Sequence, residues 1–411
     1  MWYLHRPSRI KGYIARNKRN EERIRQKDSI TVVFFASNLA MWKYQELYEE
    51  MLRYPRYIPY IVLTPLSTFT FEQKKKNIEE LRLFFKNKQI QYIDYNIEKM
   101  KGFDVKNKLK PDLIFHSQPY LTAHVKEHRY YRFSDSLLGY YPYGITIFKG
   151  DFFNEDYCNK AWKRYYENSF FQKICKENSS IGDKNVVIVG AHVADEYAKP
   201  HKDIWKKQSQ LKKRIIWATH FTINDDGWSG LSSNFLKMAD YMLLIAKKYE
   251  SLIQIAFKPH PRLLTELYKH KEWGKEKTDR YYEAWNEMNN TQLEQGDYYN
   301  LFAGSDAMIH DCGSFAAEYI YTENPVMYIS KNFTNLYNEV HEFGKLILDL
   351  HYKAKELNDI EDFICRVVIK GDDPKKDERK FAKKTYLDPP NGKTVAQNIM
   401  DDLNRSLDCK I

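Results

Sequence analysis

Two short stretches in the second half of the chain gather groups able to meet an anion. In Lys258-Pro259-His260-Pro261-Arg262, an amine, an imidazole and a guanidinium follow an apolar run, and two prolines limit the freedom of the turn. A stiff cationic loop at a strand end suits a pyrophosphate; a surface turn with solvated basic residues is the alternative. In the second stretch, Ala307-Met308-Ile309 runs through His310-Asp311-Cys312-Gly313-Ser314 straight into a helix pattern. Gly313 lets a ligand approach the backbone, and Ser314 offers a hydroxyl at a helix start, where free N–H groups and the dipole favour phosphate. Asp311 either joins that site or caps the helix. Glu318, about two helical turns further on, either reaches a ribose or sugar hydroxyl or forms a surface ion pair. His116 and His220, each at a strand end, are the imidazoles placed to act as a base, with packing histidines as the other reading.

The elements that must position these groups read as strands alternating with helices. In the first half, β-rich runs at 29–36, 57–64, 91–95, 111–116 and 185–190 alternate with helices through Trp42 to Met51, over 71–87 and over 159–176. The lysine-rich stretch 199–211, with Pro200, reads as a linker. A second series follows, with strands at 214–218, 252–257, 307–309 and 325–329 and a helix over 232–249 capped by Ser232 or Ser233. Such alternation implies parallel sheets with right-handed crossovers. The expectation is an α/β chain of two Rossmann-like, doubly wound lobes facing a cleft, with ligands beyond the carboxyl ends of the strands.

Composition bounds the rest. The 411 residues exceed what one core usually organises. No stretch has the roughly 18 consecutive apolar residues of a membrane span and the first residues lack a signal-peptide core, so a cytoplasmic protein is expected. Five cysteines without a CxxC spacing argue against a disulfide framework or a zinc site. No carboxylate cluster has metal-ligand spacing, so neither a catalytic metal nor a cofactor is expected. Of the net charge of +10, much lies in a basic arm over 1–28, which either meets anionic lipid on the inner face of the plasma membrane or forms a solvated helix face. No zinc finger, RNP-type aromatic pattern or heptad repeat accompanies the charge, so no nucleic-acid partner is expected.

At the residues just named the sequence resembles the CDP-glycerol glycerophosphotransferase family, the teichoic-acid and capsule polymerases and primases of bacteria, over roughly positions 110–400. Asp112 to Phe115 with Gln118-Pro119-Tyr120 is similar to its acceptor-lobe strand, and Asn185 to Gly190 to the strand ending that lobe. Ile215, Trp217, Ala218 and Thr219 resemble the Tyr-Ala-Pro-Thr-Trp entry strand, and Lys258 to Pro261 the phosphate-contacting histidine motif. His310 to Ser314 stands in place of Thr-Asp-Tyr-Ser-Ser, and Thr322 to Val326 in place of Gly-Lys-Pro-Val. Asp388 to Lys393, with the helix through Val395, Ile399 and Leu403, resembles the closing helix.

The resemblance implies the GT-B fold, an acceptor-side lobe over 29–200 and a donor lobe over 201–411 that includes the closing helix. It implies transfer of a glycerophosphate or related polyol phosphate from a CDP-linked donor to a hydroxyl of a glycan or lipid-linked acceptor. Lys258, Arg262, Thr219, Asp311, Gly313, Ser314 and Glu318 would bind the donor, and His260, His220 and Tyr143 would form the catalytic set. Tyr143 stands where the family has the histidine of Trp-His-Gly-Thr, and a phenol with a pKa near 10 is a poor base at neutral pH. That departure keeps a non-catalytic nucleotide- or glycan-binding protein open. A nucleotide-sugar glycosyltransferase of capsule or lipopolysaccharide synthesis is the other alternative.

Overall fold

A computed structural model describes residues 7–223, 233–296 and 298–408. The chain divides into two compact α/β units. The first comprises the chain up to Gly144, Gly150–Asp195 and the stretch from Asp388; the second comprises Ile145–Lys149 and Glu196–Leu387.

The first unit holds β1 (Ile30–Ala36), β2 (Tyr57–Leu63), β3 (Leu113–His116), β4 (Leu137–Tyr140), β5 (Lys163–Tyr166) and β6 (Val186–Ile188), in the order β2-β1-β3-β4-β5-β6. Every neighbouring pair is parallel. Alternate residues of β1 enter different cores: Ile30, Val32, Phe34 and Ala36 on one face, Val33 and Phe35 on the other. This is why the run is continuously apolar, as expected of a parallel strand covered on both sides.

The helix expected over 159–176 is instead strand β5 followed by a helix at Ser169–Asn178, which begins where the Asn168 side chain accepts from the Phe170 N–H. The strand expected at 91–95 shrinks to a single bridge between Ile93 and Val62. The basic arm is not a free arm over its described length. Pro7–Arg25 is a helix docked through Ile10 and Ile24, and Arg23 and Lys27 meet the buried Asp112 carboxylate at 3.1 and 2.7 Å.

The closing helix, Val395–Leu407, packs in the first unit rather than the second. Its Ile399, Met400, Leu403 and Leu407 join the core around β1, and the Asp195 carboxylate accepts from the Val395 and Ala396 N–H groups at 2.7 and 3.0 Å.

The second unit holds β7 (Lys213–Thr219), β8 (Ile253–Pro259), β9 (Thr291–Leu293), β10 (Ala307–His310), β11 (Val326–Ile329) and β12 (Tyr352–Ala354), in the order β12-β11-β10-β7-β8-β9. All neighbours are parallel. The helix Phe235–Lys248, inside the span expected from the sequence, lays Phe235, Met238, Met242 and Ile245 in the core of this unit; of its two candidate caps, Ser232 lies outside the described residues. The expected linker is part of this unit: buried Trp205 donates its indole N–H to Leu301 O at 3.1 Å, so the division falls after Asp195. Among the described residues, no helix is long and apolar enough to cross a membrane.

Candidate functional site

Counted within the second unit, its strands run 6-5-4-1-2-3, the order of a dinucleotide-binding sheet, so the direction of winding reverses between β7 and β10. Ligands in such sheets bind beyond the carboxyl ends of the strands at that point. The exits of β8 and β10, which the sequence pairs as one seat, are not neighbours. They flank β7, with His310, Ala218 and Lys258 level across the three strands. Two strand spacings, about 10 Å, separate the outer pair. The backbone then holds the exits together: Asp311 N–H donates to Ala218 O at 3.3 Å and His260 N–H to Thr219 O at 2.9 Å.

Side chains leaving this edge have distinct roles. The Asp311 carboxylate accepts from the His220 N–H at 2.6 Å, the Ser233 hydroxyl at 2.9 Å and the Asn234 N–H at 2.6 Å. It therefore joins the end of β7 to the start of the helix at Phe235. It does not cap the helix at Gly313, where Cys312 holds the cap position without a side-chain bond. Burial raises this carboxyl to about 6, against the pull of its hydrogen bonds.

His260 and His220 meet edge to face with centroids 5.3 Å apart, and Phe221 packs on His260 at 4.6 Å. The Arg262 guanidinium lies 4.0 Å above the Phe221 ring, a cation–π contact. Arg262 N–H donates to His260 Nδ1 at 3.1 Å, which leaves the neutral ring's proton on Nε2. Burial first, then the nearby His220, Arg262 and Lys258, depresses His260 to about 3; burial and Arg262 depress His220 to about 4. Both imidazoles are neutral at pH 7. His220 Nδ1 shares a hydrogen bond of 2.9 Å with Thr222 Oγ1.

Lys258 is buried and donates to Gly296 O at 2.6 Å, so its charge acts on the exit from within the unit. Thr219 is 1% exposed, and its buried hydroxyl has no hydrogen-bond partner among the described residues. Ser314 is exposed. What approaches the Gly313 backbone is a phenyl ring: a methyl group there would lie 2.0 Å from Phe148, carried in by the Ile145–Lys149 segment. Glu318, expected in a cleft or in a surface pair, is 2% exposed and accepts from the Tyr298 hydroxyl at 2.6 Å.

The second unit thus brings His260, His220, Arg262, Lys258, Thr219 and the Asp311–Ser314 turn to one sheet edge. Tyr143 belongs to the first unit, where it is 38% exposed. His116 is a packing histidine there, fully buried with Nε2 donating to His128 O at 2.8 Å. Sequence reasoning missed Phe221 and Phe148. Phe221 directly follows His220 after an apolar run and could have been found by inspecting strand exits; nothing local marks Phe148.

Solved structures share this fold. They include the UDP-GlcNAc 2-epimerase of Neisseria meningitidis bound to UDP-GlcNAc, at 13% identity over 92% of this chain and 100% of that one, with a TM-score of 0.59. The wall teichoic acid polymerase TagF follows at 14% identity, over 97% of this chain and 96% of that one, with a TM-score of 0.57. The S. aureus MnaA–UDP complex covers 93% of this chain and 97% of its own, at 13% identity and a TM-score of 0.56. No family model and no curated relative matches the sequence. The likeness establishes a GT-B-type α/β fold of two parallel six-stranded sheets.

Proposed function

We propose that the protein is a transferase that holds a nucleotide-activated donor at the β7, β8 and β10 exits and passes its activated group to a hydroxyl of a cell-surface glycan or lipid-linked acceptor. The observation that carries this reading is the gathering of neutral imidazoles, a guanidinium and a buried ammonium at the reversal point of a dinucleotide-type sheet. The donor we assign is CDP-glycerol, on the resemblance of the Lys258–Pro261 and His310–Ser314 motifs. A nucleotide-sugar donor is the second reading, favoured by the likeness to structures holding UDP-GlcNAc and UDP.

In the proposed reaction the acceptor oxygen forms a bond to phosphorus while the bond from phosphorus to the leaving CMP breaks. Charge accumulates on the leaving phosphate, where fixed donors and cations lower the barrier most. His260, with its proton on Nε2, donates there; Arg262 and Lys258 supply positive potential; Thr219 Oγ1 and the backbone near Ser314 complete the seat. His220 is the imidazole we assign to take the acceptor proton. An acceptor anchored in lipid would hold the enzyme at the inner face of the plasma membrane, and the exposed Lys11, Lys18 and Arg19 of the first helix suit an anionic surface.

The test is release of CMP from CDP-glycerol, and of UDP from UDP-GlcNAc, by the purified protein with and without a lipid-linked disaccharide acceptor. His260→Ala should lose at least ~100-fold in release, with its unfolding midpoint nearly unchanged. Unaltered release in that variant removes His260 from the chemistry. Nucleotide binding without release under any condition leaves a binding protein, and absence of nucleotide binding rejects the proposal.

A further inference from the structure

The first unit has its own reversal point. Its order, β2-β1-β3-β4-β5-β6, changes direction between β1 and β3, so a ligand crevice belongs beyond the carboxyl ends of those two strands. The exits there are fixed from below. Ser117 Oγ donates to Phe35 O at 2.9 Å, tying β3 to β1. The Tyr44 hydroxyl donates to His116 O at 2.8 Å and accepts from Tyr141 N–H at 3.2 Å, tying β3 to β4.

On this frame the chain is rich in tyrosine, and the tyrosines sort into two groups. Tyr44, Tyr140, Tyr141 and Tyr157 are at most 6% exposed and serve as packing, whereas Tyr120, just after β3, and Tyr143, just after β4, are 37% and 38% exposed. Large rings left partly exposed at a strand edge suit a ligand better than a core. Two residues before Tyr120 lies Gln118, 6% exposed, whose amide nitrogen donates to the Met41 thioether at 3.7 Å, a weak acceptor that a ligand hydroxyl can replace.

We propose that this edge is a carbohydrate subsite, in which Tyr120 and Tyr143 offer ring faces to the apolar C–H face of a pyranose and Gln118 hydrogen-bonds a ring hydroxyl. An aromatic platform with a few placed polar groups is the arrangement that binds a molecule apolar on one face and polar at its rim. The inference rests on the transferase reading, in which the sugar belongs to the acceptor. Tyr143 then works through its ring. Burial raises both phenols above the ordinary value, Tyr120 to about 12 with a further contribution from the neighbouring Tyr143, so neither is a base at neutral pH.

Saturation-transfer NMR on the whole protein tests this with two probes, chitobiose and sn-glycerol 3-phosphate. Chitobiose should bind and resist competition by sn-glycerol 3-phosphate. Tyr120→Ala and Tyr143→Ala should each weaken it about 10-fold, and Tyr143→Phe should restore affinity to within about 2-fold. With a disaccharide acceptor, the alanine variants should raise the acceptor KM while the donor Kd stays fixed. Loss of turnover in Tyr143→Phe with an unchanged KM in Tyr143→Ala would assign the hydroxyl to chemistry and overturn the platform. Preferential binding of sn-glycerol 3-phosphate would overturn it too, in favour of a polyol-phosphate chain. Sugar binding that depends on both rings without any nucleotide release would sink the transferase reading alone; nucleotide release with no chitobiose binding would sink the subsite alone.

Discussion

Adding one methyl group at Gly313 probes how firmly the Ile145–Lys149 segment is seated on the second unit. The methyl would lie 2.0, 2.8 and 3.1 Å from three atoms of the Phe148 ring, where ordinary contact begins at 3.4 Å. The segment's backbone has little room to retreat. Lys149 N–H donates to Glu339 O at 2.9 Å, His341 N–H to Ile147 O at 3.2 Å, and His341 Nε2 to Thr146 O at 3.0 Å. The ring must therefore swing away, and overpacking of this kind costs about 1–3 kcal/mol. The helical preference of alanine over glycine offsets roughly 0.5–1 kcal/mol of that. Gly313→Ala should thus destabilise by about 1–2 kcal/mol, and Phe148→Ala, which removes a half-buried ring, by about 1–2 kcal/mol. In the double variant the methyl fills part of the vacated space, so the two changes should couple by about 2 kcal/mol. Urea unfolding of the four proteins, followed through the fluorescence of Trp217 and Trp285 in this unit's core, measures the cycle. Measuring without nucleotide separates packing from loss of a ligand contact. Additivity within about 0.5 kcal/mol would refute the docking of Phe148 on Gly313.

Two further outcomes follow from the buried imidazoles. His116, His124, His128, His310 and His351 are held below the ordinary histidine value by burial. The unfolded chain takes up protons below about 6.5 while the folded one does not, so their stabilisation is present above that pH and drains as pH falls toward the folded values. At pH 5 the loss is about 2 kcal/mol for each of His124, His128 and His310, held at about 4, 4 and 3, opposed by Asp311, whose carboxyl, raised to about 6, favours the folded state as pH falls. Urea midpoints should decline from near pH 6.5, and a flat profile between pH 7 and 5 would contradict the buried neutral assignments. Arg262→Gln should raise both His260, now about 3, and His220, now about 4, because a like charge is removed; both should stay below 6.5 because burial is the larger cause. Imidazole 15N shifts followed with pH report this directly, and an unchanged or lower value would mean the guanidinium does not face the rings.

Sequence periodicity exposed the strands built around long apolar runs, β1 above all, whose alternate residues enter cores on both faces. It failed at β5, Lys163-Arg164-Tyr165-Tyr166, where a buried guanidinium occupies the strand. Arg164 is tolerated because it donates to Asn185 Oδ1, Phe153 O and Gly182 O at 2.8 to 3.0 Å, partners supplied by the short helix Asp151–Asn154 and by the turn before β6. Hydrophobicity read along the chain contains no trace of such a network. The lysine-rich stretch 199–211 misled for the converse reason: its exposed residues resemble a linker, while buried Trp205 and the Lys206 backbone, bonded to the Gln292 and Gln254 side chains, anchor it.

The placement of the closing helix shows what kind of information pattern does not hold. The stripe of Val395, Ile399 and Leu403 says that one face is buried, and it is silent about which core receives it. The partner is fixed by Asp195, whose carboxylate meets the two free N–H groups at the start of that helix. The same reasoning reorders the candidate site. Asp311 was legible as a functional carboxylate because it ends a strand before a glycine, yet its oxygens are engaged in joining β7 to the next helix. Glu318 is engaged by Tyr298. A side chain whose polar atoms are consumed by the frame has little left for a ligand, so the donor seat should be looked for where polarity is left over: the Nε2 proton of His260, the guanidinium of Arg262, whose ion pair with Glu266 is long at 3.9 Å, and the hydroxyl of Thr219, which has no partner among the described residues.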